Sequence, residues 1–287
     1  MHRHDISILC LLFVLSGCSR EGGVSATGQS LKRIVSLSPS ITRQIIDLDS
    51  EDLLAGVTSY SPAMKPHVSL VGSIVSPSVE AIALLKPDMI LLSDEDGAVQ
   101  HVERLGTLGI PMHKFRKNAD FDTICVNYLE LGRMLGKGAL AESKLARYRK
   151  ALFGFMKISF PAAKGDAAAA GPRVALFISA KPLVAVSDAA FLGSIIRDAG
   201  GCNVYGDVSA HYPLVSVESL IQRKPDIIVA TYDDTIVYLK SAIEQVGGDT
   251  RIQWYSVPPD HLTHYTPSDY VKSVEILASL FSRWRQQ

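Results

Sequence analysis

Aromatic residues are scarce, making up 7% of the 287 positions, with Trp254 and Trp284 the only indoles. A large planar ligand would therefore be held with few rings, and their positions carry weight. Net charge is absent too, because 29 Lys and Arg offset 29 Asp and Glu. That balance removes the basic footprint expected of a protein that wraps nucleic acid. Glycine (21) and proline (14) are unexceptional, which excludes a collagenous or broadly disordered chain. The four cysteines form no CxxC and no Cys/His zinc spacing. GxSxG, P-loop and GxGxxG motifs are missing, so no catalytic signature is present.

The apolar run from Ile6 to Leu15, broken only by Ser7, falls short of the about 20 residues a membrane-spanning helix needs. It reads as the core of a secretory signal. Its end, Leu15 to Cys18 (LSGC), resembles the lipobox of bacterial lipoproteins. The expectation is a signal peptide over 1–17, lipid on Cys18 and an exported protein anchored to the membrane. The alternative is an ordinary signal with an incidental cysteine. Residues 18–31 include a Gly/Ser-rich stretch and read as a flexible tether. Cys125 and Cys202 remain in the body. Cys125 falls on an apolar helical face and Cys202 in a Gly-rich turn, so two separate thiols are expected.

An internal repeat organises the rest. Residues 78–93 (SVEAIALLKPDMILLS) align without gaps to 216–231 (SVESLIQRKPDIIVAT), with seven of sixteen positions identical and Ser78 to Ser216 an offset of 138. Each copy predicts a Ser-capped helix stopped at Lys-Pro-Asp and followed by a buried strand. Strand and helix alternate around both copies, which predicts an α/β fold with largely parallel sheets. Predicted strands are Arg33 to Leu37, Leu53 to Thr58, Ile110 to Phe115, Arg173 to Ile178 and Tyr255 to Val257. Predicted helices include Ile41 to Leu48, Val99 to Leu108, Ala189 to Ala199, Leu239 to Val246 and Pro267 to Trp284. Between the halves, Phe121, Ile124, Tyr128, Leu131 and Leu135 recur at helical spacing. Ala139 to Ile158 then forms a second helix, about 30 Å long, that could bridge two lobes. The divisions are an N-terminal lobe over 32–118, a helical segment over 119–160, a low-complexity loop over 161–171 and a C-terminal lobe over 172–287.

Residues 33–40 (RIVSLSPS), Gly56–Tyr60 (GVTSY), the two repeat units, 199–203 (AGGCN) and 215–218 (VSVE), with the lipobox, together resemble the substrate-binding proteins of ABC importers. The similarity is to the single-helix-hinged group that carries cobalamin, ferric siderophores and haem. The resemblance implies two Rossmann-like lobes joined by one long bridging helix, with ligand in the cleft between them. It implies a monomer with no intrinsic cofactor, whose partners are a permease dimer, its ATPase subunits and a small metal chelate.

By that resemblance Glu80 and Glu218 dock onto the permease, one per lobe, although a carboxylate at a helix N-terminus also has a purely stabilising role. Tyr60 and Tyr212 match ligand-facing aromatic positions of the cobalamin-carrying members, Asp260 matches a ligand-contacting Asp, and His261 is assigned to the same set. Partly buried packing at strand ends is the other reading of the two tyrosines. Ile74 and Ser93 stand where those members have indoles, which leaves a ferric siderophore or haem open as the ligand. His211, His261 and His264 fall on loops expected to face the cleft, as solvent-exposed or hydrogen-bonded groups or as ligand contacts. Ser36, Ser38 and Ser40 are attributed to helix capping rather than to nucleophilic chemistry.

Overall fold

The computed structural model describes residues 31–62, 64–94, 102–159, 171–245 and 251–284. The signal peptide, Cys18, nearly all of the tether and most of the 161–171 loop lie outside the described residues.

Ile34–Ser36 (β1) leads into Pro39–Asp47 (α1), followed by Leu54–Val57 (β2), Ser69–Leu70 (β3), Val79–Leu85 (α2), Met89–Ser93 (β4), Val102–Gly106 (α3) and Met112–Phe115 (β5). These strands form one sheet in the order β3-β2-β1-β4-β5, with every pairing parallel. Phe121–Met134 (α4) and Gly138–Ser159 (α5) come next. The second half contains Arg173–Ala180 (β6), Leu183–Ala185 (β7), Phe191–Asp198 (α6), Cys202–Asn203 (β8), Val217–Gln222 (α7), Ile227–Ala230 (β9), Asp233–Gln245 (α8), Gln253–Ser256 (β10) and Pro267–Trp284 (α9). Its sheet runs β10-β9-β6-β7, with β8 also on β6, and β7 pairs antiparallel to β6. The predicted α/β class with two largely parallel sheets is what the chain forms.

The repeat is geometric as well as sequential. Ser78 caps α2 by accepting from the Ala81 amide at 3.1 Å, and Ser216 caps α7 through the Ser219 amide at 3.2 Å. Lys86 and Lys224 both adopt left-handed backbone, at φ 46° and 45°, where each helix gives way to Pro. The Asp of each Lys-Pro-Asp then holds a strand of its own half. Asp88 accepts from the Lys32 and Arg33 amides at 2.8 and 3.0 Å, and Asp226 from the Arg173 amide at 2.7 Å. In return Arg33 Nε donates to the Leu85 carbonyl at 2.9 Å, and Arg173 Nε to the Lys224 carbonyl at 3.0 Å. Gly56 of β2 lets α2 lie close, since a Cβ there would come within 2.6 Å of Leu85 Cδ1.

Each sheet buries both faces. Val35, Leu37, Ile90 and Leu92 pack outward with Ile82 of α2, whereas Ile34, Leu54 and Leu91 turn into a core that also takes Val174, Leu176, Ile227 and Val229 of the other sheet. That shared core is filled by α4, α5 and α9 through Ile124, Tyr128, Leu145, Leu152, Val274 and Leu277. The joining layer is therefore three helices. Its longest, α5, has 22 residues, about 33 Å.

Two expectations need correction. Helix α8 starts at Asp233, six positions before the predicted start, because the acidic first turn of Asp233 and Asp234 favours an N-terminus while masking apolar periodicity. Ser38 occupies the N-cap position of α1 but its hydroxyl makes no cap bond. It bonds Ser40 at 2.8 Å instead, while Thr42 donates to Ser36 at 2.9 Å and to the Ser38 carbonyl at 3.0 Å. The short β3, β7 and β8 were not foreseen. Cys125 is buried and Cys202 exposed, both as free thiols, and burial pushes the Cys125 thiol up to about 11.

Replacing Asp226 by Ala should cost about 1 kcal/mol, because it leaves the Arg173 amide at the start of β6 without its carboxylate partner. A lowered urea midpoint with an unchanged slope would show it.

Candidate functional site

In open parallel sheets, ligands bind beyond the carboxyl ends of strands, where strand order reverses. The first sheet reverses between β1 and β4 and the second between β6 and β9. The carboxyl edge of the first sheet presents the opening of α1, the Thr58 to Ser61 turn after β2, and Ser93 and Asp94. That of the second presents Ala180, Lys181, Thr231, Tyr232 and the turn after β10.

Tyr60 lies in the turn after β2 with positive φ (68°) and is 82% exposed. Its neighbours Ser59 and Ser61 carry buried hydroxyls without a hydrogen-bond partner among the described residues. Asp260 and His261 share the short 3₁₀ turn Pro259–His261 after β10, and both are exposed. Tyr212 stands elsewhere, on a segment running beside β7, where the Ser187 amide donates to the His211 carbonyl at 3.1 Å and the Ala185 amide to Pro213 at 3.0 Å. The two tyrosines thus belong to different halves, and Asp260 and His261 form one cluster with His264.

That cluster meets the first half. Gln44 of α1 donates to the Tyr265 carbonyl at 2.8 Å. Arg43, beside it, has a buried Nε without a partner among the described residues. Burial, then the Arg43 charge, holds the His264 imidazole below its ordinary range, against the pull of Asp269 and Asp260. His264 is half-buried, whereas His211 and His261 are exposed. Among the described residues no three His, Cys, Asp or Glu side chains gather as a metal site.

Glu80 and Glu218 are both exposed in the first turn of their helices. Glu80 is held below the usual carboxylate range by its own backbone amide and then by the Ser78 hydroxyl, which donates to it at 3.3 Å. For Glu218 the Ser216 hydroxyl dominates, followed by its own amide. Both carboxylates therefore stay charged at neutral pH in matched settings.

Sequence reasoning overlooked Arg43, Ser59, Ser61 and Thr231. Thr231 has a buried hydroxyl without a partner among the described residues and ends the second repeat as Ser93 ends the first. Their shared position in the alignment was the available signal. A groove of about 940 Å³ opens between α8 and the β6–β7 turn, lined by Lys181, Tyr232, Asp234, Val237 and Tyr238 among others. All its lining residues come from the second half, so it is distinct from a crevice between halves.

Two largely parallel sheets, each packed on both faces and with its strand order reversing at a carboxyl edge, define an α/β protein of the two-sheet kind. The chain belongs to the periplasmic binding protein family, whose pattern matches residues 34–245. It is 24% identical over 204 residues to a vitamin B12-binding protein of Vibrio campbellii, a match covering 70% of each chain. It shares its fold with the periplasmic vitamin B12-binding protein of Vibrio cholerae, at TM-score 0.73 and 20% identity over 90% of this chain and 99% of that one. A periplasmic heme-binding protein from Pseudomonas aeruginosa gives 0.71 and 21% over 88% and 92%.

By NMR, His264 should titrate below the ordinary imidazole range, and Arg43→Met should move it upward by removing the second-largest cause of the depression.

Proposed function

We propose that this chain is the substrate-binding component of an ABC importer. It captures a metal chelate between its halves and hands it to a membrane permease, while ATP is hydrolysed on other subunits. The observation that carries the reading is the matched pair Glu80 and Glu218, alike in helix position, cap and ionisation and related by the repeat. One carboxylate per half suits a two-fold permease dimer, because charge-assisted bonds at two fixed points set orientation. Residues 1–17 are a cleaved signal, Cys18 carries the lipid, 18–31 tether the protein, 32–118 and 172–287 are the lobes, and the segment 119–160 joins them. The protein works as an exported, lipid-anchored monomer.

Cobalamin is the favoured ligand, on the strength of the vitamin B12-binding relatives, with Tyr60, Tyr212, Asp260 and His261 as contacts. A ferric siderophore or haem is the second reading, favoured by Ile74 and by Ser93, which is 1% exposed and offers no stacking surface.

The lipid-free protein should be mixed in turn with cobalamin, haem and ferric siderophores while absorbance and melting temperature are recorded. The cognate ligand at a hundred times its Kd should stabilise by about 2.7 kcal/mol. No response to any of them would remove the chelate class. Tyr60→Ala should weaken binding of the cognate ligand up to about tenfold, the range of a ring contact beyond its area. Combined Glu80→Ala and Glu218→Ala should abolish uptake with ligand affinity intact. Docking should persist as pH falls from 7 to 5 and fail only below the usual carboxylate range, since both carboxyls are held down; loss near pH 6 would implicate histidines instead.

A further inference from the structure

Exposed ion pairs are weak. A pair that stays solvated contributes up to about fivefold in affinity, and salt reduces that. Two therefore give roughly thirtyfold at best, far short of a specific protein complex. The remaining affinity has to come from apolar surface covered on docking.

Such surface borders both glutamates. Leu84 lies four residues after Glu80 on the same face of α2 and is 83% exposed. Leu70, also exposed, sits on edge strand β3, from whose end α2 starts: the Ser78 amide donates to the Val71 carbonyl at 2.7 Å. In the second half the Val215 amide donates to the Leu183 carbonyl at 3.1 Å, so α7 starts from edge strand β7 in the same way, with the exposed Leu214 just ahead of it. An opening of about 450 Å³ beside Glu218 shares Ala180, Lys181 and Tyr238 with the 940 Å³ groove, and the joined trough reaches Val237, 69% exposed on α8. A single exposed leucine is ordinary. The distinction here is that exposed aliphatic side chains flank the repeat-matched carboxylate in each half, from different elements, since Gln222 stands where the first copy has Leu84.

We infer that each docking glutamate is bordered by an apolar ledge which the permease covers, so that the carboxylates set register and the aliphatic side chains supply affinity. This rests on the docking reading above. The occupant is the permease dimer, because two like charges at repeat-related places call for a partner with one cation per half and apolar residues beside each.

The test uses the permease and ATPase complex in lipid nanodiscs, with docking of the lipid-free protein measured at low and high salt. Leu84→Ser and Val237→Ser should each weaken docking about three- to tenfold at both salt concentrations, without changing melting temperature or ligand affinity. Glu80→Gln with Glu218→Gln should instead flatten the salt dependence. Full docking by both serine variants, beside impaired docking of the glutamine variant, would overturn the ledge and leave the glutamate reading standing. Full docking by all three would overturn both. Sedimentation velocity supplies a further check: a dimer of this chain that Leu84→Ser dissociates would assign the ledge to a second copy and overturn the inference.

Discussion

The placement of Glu80 and Glu218 depends on one reciprocal clasp, made twice. An aspartate following a helix holds the backbone at the start of a strand, and the arginine there reaches back to the last carbonyls of the helix. Those carbonyls have no partner inside the helix, and a cation is favoured at that end of its dipole. With its carboxyl terminus pinned to one edge of the sheet, a helix of six or seven residues has little choice of direction. Its amino terminus, with the capping serine and the glutamate, must emerge at the opposite edge, where the crevice also opens. Glu80 and Glu218 thus owe their equivalence to Asp88, Asp226, Arg33 and Arg173, none of which lies at the surface they serve.

The two halves are held by more than a single helix. Asp47, at the end of α1, accepts from Tyr128 of α4 and from Lys144 and Tyr148 of α5. On the other side Asp198 of α6 accepts from Tyr270 of α9 at 2.7 Å. Burial raises the pKa of both Asp198 and Tyr270. Because α4, α5 and α9 fill one continuous core between the sheets, separating the halves would expose apolar surface along the whole layer. A packed interior of this kind resists continuous deformation.

The repeat, the alternation and the long helices were legible because each leaves a periodic or duplicated signal. Phe121, Ile124, Tyr128 and Leu131 are buried as their spacing required. Strands of two or three residues, such as β3 and β8, leave no period to detect, and β7 is antiparallel inside an otherwise parallel plan. At the candidate site the limit was different. Arg43 reads as an unremarkable helix residue until folding brings it beside His264, 221 positions on, and Ser59 and Thr231 become notable only once their hydroxyls are buried. Long-range juxtaposition and burial are tertiary properties that a motif does not encode. The clasp lay between the two cases, since Arg33 and Arg173 each open a strand ahead of a repeat unit, yet 140 residues separate them where the units are 138 apart.

The scarcity of aromatics gains meaning once their locations are known. Tyr128, Tyr205, Tyr270 and Phe177 are wholly buried, and Phe121, Phe191, Tyr265 and Tyr270 form a cluster of tilted and edge-to-face rings within the shared core. Both indoles pack against the cores, and Trp254 also lies under the Lys240 ammonium. Among the described residues, the aromatic rings that remain exposed are Tyr60, Tyr212 and Tyr232, together with Phe153 on α5. The rings near the crevice edges are therefore phenols rather than indoles. A phenol supplies less apolar area but adds a hydroxyl that can donate or accept. The hydroxyls of Ser59, Ser61 and Thr231 at the same edges are buried without a partner among the described residues, so the polar surface offered there comes from the exposed phenols rather than from these side chains.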